Sequence, residues 1–303
     1  MNRGAVIAIA AAAVVLVVAG GVTAWILTRP PGPEAVAERY LQALSDGDFG
    51  TIEGLLAERD EGLDAVGAAL AGATGFISDY SFQIENESDA ARTVRADVEL
   101  DGEPAVVGFG LVQQDGGWKI DGDYLASLEA QTMIGDAVRV GGELFPAATP
   151  IPLLPAVYPV VAAPAGLVVG EGIAVVSNEA PVTVTIDATV SPDATARAQE
   201  QLDAYADACA APADAVPANC GVRVPWAADL ATLNSITFRI DAYPAVTIGD
   251  DGQTFAAVDG EIVATAQGTT RAGQPGTFTY RADDWALRGT VEFTGDEMVL
   301  AVR

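Results

Sequence analysis

Residues 5–27 contain no charged side chain and lie between Arg3 and Arg29, and this run constrains the chain more than anything that follows it. About 20 apolar residues in helical form cross a hydrocarbon core of roughly 30 Å, so the run is expected to be a transmembrane helix. Trp25 stands where an interfacial aromatic belongs, just ahead of Arg29 and the helix-stopping Pro30-Pro31. The other reading is a cleaved secretory signal, because Val22-Thr23-Ala24 offers small residues at peptidase spacing. A signal's apolar region runs about 7 to 15 residues, and Trp25, Ile26 and Leu27 carry this one past the cut, which favours an uncleaved anchor. Long C-terminal portions translocate largely regardless of charge. The expected topology is therefore single-pass, with a cytoplasmic tip at 1–4 and the bulk of the chain outside the membrane.

Charge and side-chain inventory exclude whole classes of chemistry. Asp and Glu number 42 against 15 Lys and Arg, a net charge of −27, and Lys119 is the only lysine. A phosphate-binding surface needs clustered cations, so nucleic acid is not an expected partner, and the same field repels anionic headgroups. Solubility accounts for the acidity, with a specific cationic partner as the alternative reading. Histidine is absent, which leaves no Ser-His-Asp or Cys-His catalysis and no imidazole zinc site. Gly116 stands three residues before Lys119, so the Ser-x-x-Lys pattern is missing. No phosphate-cradling GxxxxGK loop surrounds that lysine either. No cofactor, metal or catalytic residue is assigned.

The two cysteines, Cys209 and Cys220, fall in an Ala- and Pro-rich stretch of the portion placed outside the membrane. An oxidising compartment makes a structural disulfide the default. Closing so short a loop stabilises a fold by about 3 kcal/mol in the chain-entropy picture. The spacing is not Cys-x-x-Cys and no cationic neighbour stands ready to lower a thiol pKa, which argues against a redox-active pair.

After a short linker at 28–32, the segment 33–46 has a helix signature: Pro33 at a first-turn position, Glu34 near the positive end of the dipole, and apolar Ala37, Leu41 and Leu44. Phe49, Ile52, Leu55 and Leu56 mark a second short helix, and 63–70 a third. After Gly72 the period changes to two, with Tyr80, Phe82 and Ile84 alternating, then Val94, Ala96, Val98 and Leu100. Asp101-Gly102 and Asp115-Gly116-Gly117 are turn signals, the second leading into Trp118-Lys119-Ile120.

Helices followed by an antiparallel meander, with the pattern Ala37-x-x-Tyr40-Leu41-x-x-Leu44-x-Asp46-Gly47-Asp48-Phe49 and a closing Gly117-Trp118-Lys119-Ile120, resemble the NTF2-like superfamily of cone-shaped α+β folds. The resemblance covers about 33–124. It implies a domain at 33–125 of the kind found in extracytoplasmic proteins, including domains that only support a neighbouring module. Enzymes of that superfamily work with acidic and tyrosine side chains in the cone, but no motif here allows those residues to be carried over.

Residues 126–165 read as a connector. Pro146, Pro150, Pro152, Pro155, Pro159 and Pro164 break any helix, while Ile151, Leu153, Leu154, Val157 and Tyr158 are too apolar for a free linker. The tract is expected to be extended chain packed on the second domain, with a wall-spanning polyproline spacer as the alternative. Residues 166–303 form a β-rich second domain with one helix, capped by Ser191, begun by Pro192 and facing inward through Ala198, Leu202, Tyr205 and Cys209. Strands are expected at 173–176, 182–190, 236–243, 255–258, 261–266, 278–281, 287–293 and 298–302, with turns at Asp259-Gly260 and Gly295-Asp296. This module loosely resembles those that follow an anchor in bacterial cell-envelope proteins, without matching a family.

The fold class expected from these signals is α+β: a transmembrane helix, an NTF2-like domain, then a β-rich α+β domain with a disulfide-stapled helix. Asp121-Gly122-Asp123 and Asp250-Asp251-Gly252 lack the spacing of a calcium loop, and Gly170-x-Gly172 lacks the third glycine of a dinucleotide loop. Asn86-Glu87-Ser88 is a chance match to a glycosylation acceptor by default. Trp118, Trp226 and Trp285 read as core rather than a binding cleft. The functional expectation is a membrane-anchored, extracytoplasmic, non-catalytic protein that binds an envelope protein or a small-molecule ligand. The alternative is an NTF2-like pocket enzyme using Asp, Glu or Tyr as acid and base.

Overall fold

A computed structural model describes residues 31–86, 88 and 90–303, without the side chain of Asn86. Three helices come first: α1 (Pro33–Asp46), α2 (Phe49–Leu55) and α3 (Leu63–Ala71). Proline opens α1, and Gly47 ends it in the left-handed conformation with φ 66°. Glycine is required there twice over, because a Cβ would also stand 2.6 Å from the Phe76 ring. Asp48 then caps α2, accepting from the Thr51 N–H at 3.0 Å and the Thr51 hydroxyl at 2.6 Å. Those two donors hold its carboxyl below the usual range.

The helices lie against an antiparallel meander of β1 (Ser78–Asn86), β2 (Ala91–Leu100), β3 (Glu103–Gln114) and β4 (Gly117–Ile120), paired in that order. The turns at Asp101-Gly102 and Asp115-Gly116 put both residues at positive φ, as a two-residue hairpin demands. Alternation sends Val94, Ala96, Val98 and Leu100 of β2 into the core.

Nine short strands follow: β5 (Ala126–Thr132), β6 (Ala137–Val140), β7 (Glu143–Pro146), β8 (Pro150–Leu153), β9 (Ala156–Ala162), β10 (Val168–Val169), β11 (Glu171–Val176), β12 (Val182–Ile186) and β13 (Thr189–Val190). They pair as β11-β9-β6-β7, β12-β5-β8 and β10-β13. The Pro-rich tract is extended, as its prolines require, but its strands are built into two sheets and do not merely connect. Pro150 and Pro152 sit in β8 and Pro146 in β7, each an edge strand where a missing N–H can face outward.

Helix α4 (Pro192–Cys209) begins at Ser191, whose side chain accepts from the Ala194 N–H at 3.1 Å and donates to the Gly166 carbonyl at 2.6 Å. A 3-10 turn at Trp226–Ala228 leads into the last sheet: β14 (Leu230–Ala242), β15 (Ala245–Ile248), β16 (Thr254–Thr270), β17 (Pro275–Thr294) and β18 (Glu297–Val302). The order is β14-β16-β17-β18, with β15 also on β16. Asp259-Gly260 is a bulge inside β16 and not a turn: Asp259 has φ 62° and the pairing to β17 slips on either side of Gly260. Gly295-Asp296 does turn the chain, between β17 and β18.

The described residues are mostly β, 51% strand against 19% helix, and this overturns the expected α+β plan. Two misjudged regions account for the shift. The 126–165 tract supplies strands, and β16 and β17 run unbroken for 17 and 20 residues where shorter pieces were expected. One apolar core extends from Val36 in α1 to Met298 in β18. Among the described residues no helix is long and apolar enough to cross a membrane. The run at 5–27 expected to span the membrane, and the expected cytoplasmic tip at 1–4, lie outside the described residues.

Candidate functional site

The space enclosed by the helices and the meander is the first place to look for chemistry, and it is filled. Tyr40, Leu41, Leu44 and Ile52 from the helices meet Val94, Ala96, Phe109, Leu111 and Ile120 from the strands. The Tyr40 and Phe109 rings pack at 4.5 Å between centroids, tilted by 60°. The Tyr40 hydroxyl donates to the Tyr124 carbonyl at 3.4 Å. Burial pushes that phenol far above its ordinary range, with Tyr124 and Tyr158 adding to the effect, so it keeps its proton. Tyr158, likewise raised by burial, donates to the Leu154 carbonyl at 2.7 Å. Ser191 is buried too, and it serves as the α4 cap.

Clefts of similar size open at several places on the surface, and one lies outside the meander, where the turn between β11 and β12 is drawn against β3. There a cleft of about 440 Å³ is bounded by Thr93, Gly108, Gly110, Asp121, Asp123 and Asn178, among others. Asn178 makes the junction. Its Oδ1 accepts from the Gly108 N–H at 2.9 Å, while Nδ2 donates to the Gly108 carbonyl and, at 2.6 Å, to the Asp123 carbonyl. A carboxamide here does the work of a neighbouring strand. Arg95, which pairs across with Gly108, reaches Glu179 beside it at 3.7 Å.

Two glycines floor this cleft for different reasons. A Cβ at Gly110 would stand 2.1 Å from the Asp121 carbonyl oxygen, so backbone approach demands glycine. A Cβ at Gly108 would find its nearest neighbour at 3.8 Å. Nothing in the fold fills that space, although glycine within a strand weakens it. A second cleft, about 320 Å³, wraps the other side of the same loop and adds Glu58, Asp60 and Tyr124. Tyr124 donates to Asp60 at 2.5 Å, and burial followed by that carboxylate raises its phenol well above the usual range.

The other residues singled out in the sequence do not converge. Cys209 and Cys220 form a disulfide. Trp285 is core and donates to the Cys220 carbonyl at 2.8 Å, Trp226 covers a small cluster near β14, and Trp118 lies 5.0 Å beneath the Arg92 guanidinium. Asp251 accepts from the Gln253 N–H at 2.9 Å within its own turn. Among the described residues no three acidic or cysteine side chains are grouped to hold a metal ion. Glu87 and the Asn86 side chain of the glycosylation pattern lie outside the described residues. Asn178 was missed altogether, since an asparagine after Val176-Ser177 reads as an ordinary turn residue.

No known family model matches the chain, and no curated protein matches it.

The Asn178 junction yields a direct prediction. In Asn178→Asp the side chain keeps its shape but faces two carbonyls with no donor, so stability should fall by about 2 kcal/mol at neutral pH. Below about pH 4 a protonated carboxyl regains one donor, and the deficit against wild type should shrink. Urea titrations of both proteins at pH 7 and pH 4 measure this. An equal deficit at both pH values would mean the lost donors are not the cause.

Proposed function

We propose that this chain is a non-catalytic binding protein of the extracytoplasmic side of a membrane, attached through its N-terminal run, and that residues 33–125 are an NTF2-like module serving as scaffold. The observation that carries the reading is the filled interior. A pocket enzyme of the NTF2-like kind needs a carboxylate or tyrosine facing an open cavity, where burial lifts a carboxylate pKa toward neutrality. Here Tyr40, Leu44 and Phe109 occupy the corresponding space, and the Tyr40 phenol points to a backbone carbonyl. Room for a ligand exists instead on the outside, at the Gly108 and Asn178 cleft, whose volume falls within the range of small-ligand sites. The uncharged run at 5–27 and the disulfide support the location.

Two measurements test this. A C-terminal reporter active only outside the cytoplasm should be active on the full chain; a reporter active only in the cytoplasm would overturn the location. A photo-activated cross-linker placed at Gly108 in cells should capture a ligand or protein that one placed at Thr279, on the exposed face of β17, does not. Equal capture at both positions would sink the cleft as the binding site.

A further inference from the structure

A second, smaller core sits beside the main one, with Phe238 packed against both. Leu230 and Ile236 of β14 and Ala264 and Ala266 of β16 form it, and Ala213, Val216, Val224 and Trp226 cover it. All four covering residues belong to the segment 210–228, which leaves the end of α4 and crosses the sheet before β14 begins. Ala213 exchanges two backbone hydrogen bonds with Ile236, at 3.0 and 2.8 Å. Trp285 and Tyr205 donate to the carbonyls of Cys220 and Asn219, at 2.8 and 2.9 Å. Covalently, the Cys209–Cys220 bond ties the segment back to the helix. The seam beneath it is not closed, for a cleft of about 140 Å³ separates 222–225 from Ile262, Ala264, Tyr280 and Ala282. A segment with few buried apolar contacts over a small cluster is the kind of unit that opens by itself.

We propose that 210–228 is a strap latched by Cys209–Cys220, and that reduction of this bond by a dithiol releases the strap and bares the apolar face of β14, β16 and β17 while the main core stays folded. One thiolate of the dithiol attacks a sulfur of the bond, which breaks as a mixed disulfide forms. The second thiol of the reductant then displaces the protein sulfur. Two electrons pass to the protein, which gains two thiols, and the reductant leaves as its own disulfide. Cys209 and Cys220 are only 6% and 4% exposed, so exchange proceeds from the lifted strap and the latch holds at rest. What reduction changes is the position of the opening equilibrium: loss of so short a closed loop favours the open strap by about a hundred-fold. The surface uncovered includes Ile236, Phe238 and Phe278, an apolar patch on an otherwise strongly acidic chain.

Hydrogen exchange read by mass spectrometry on the full chain, with and without dithiothreitol, tests this, with alkylation reporting the state of the thiols. Amides of 210–228, and that of Ile236, which donates to the Ala213 carbonyl of the strap, should exchange about a hundred-fold faster after reduction, while those of α1, β2 and β9 change less than about two-fold because the strap does not cover them. The double variant Cys209→Ser/Cys220→Ser should reproduce that pattern without reductant. Acceleration spread evenly over the whole chain, protection unchanged after the thiols have been alkylated, or a bond that resists the dithiol under native conditions would each overturn the proposal.

Discussion

Phe109→Ala should lower stability by about 3–5 kcal/mol, the largest effect expected of any single truncation in the first 125 residues. The side chain is 1% exposed and is the central strand residue against Tyr40. Its removal strips both the transfer free energy of a phenyl ring and the contacts that ring makes, and leaves a cavity that α1 cannot collapse into without dragging Leu41 and Leu44. Denaturant midpoints at unchanged slope measure the loss. A loss under about 1 kcal/mol would mean that the helices and the meander enclose adaptable space rather than a packed interior. The scaffold reading would then lose its main support.

The second large effect is expected at Gly141. This residue lies in the turn between β6 and β7 at φ 58°, and a Cβ on it would stand 2.1 Å from the Ala69 carbonyl oxygen of α3. Gly72 returns the contact, its own missing Cβ falling 1.8 Å from the Gly141 oxygen. Gly141→Ala therefore meets left-handed strain and a backbone clash together, about 3 kcal/mol or more. Its neighbour Gly142 provides an internal control, with φ 89° and open space around it. Gly142→Ala should show only the strain, about 1–2 kcal/mol. If the two variants unfold at the same denaturant concentration, the approach of α3 to the β6–β7 turn is looser than its geometry implies.

Local signals were read well where one physical cause decided the outcome. Pro33 fixes the start of α1 by its dihedral angle, and the Asp-Gly pairs at 101 and 115 fix two hairpins because few other residues accept their backbone. Signals with two outcomes misled. Asp259-Gly260 carries the same left-handed preference whether it closes a hairpin or bulges a strand, and only its pairing with β17 decides. The prolines of 146–164 forbid helix but do not say whether the extended chain joins a sheet. That depends on pairing with β5, β6 and β11, which is remote information at the level of sequence. The cleft was illegible for a related reason. Gly108, Asp123 and Asn178 lie far apart in the chain, and each has an ordinary local role until the fold brings them together.

The bulge in β16 has a mechanical consequence. The β16–β17 ribbon runs uncut from Phe255 and Phe293 in the main core to Ala266 and Phe278 at the small one, and it changes course where Gly260 tucks under Pro244 and the Trp285 carbonyl with no room for a Cβ. The same two strands thus join both cores, and a partner seated on the outer face of Thr265 and Thr279 would rest on strands that continue, past the bend at Gly260, to the two phenylalanines at the other end.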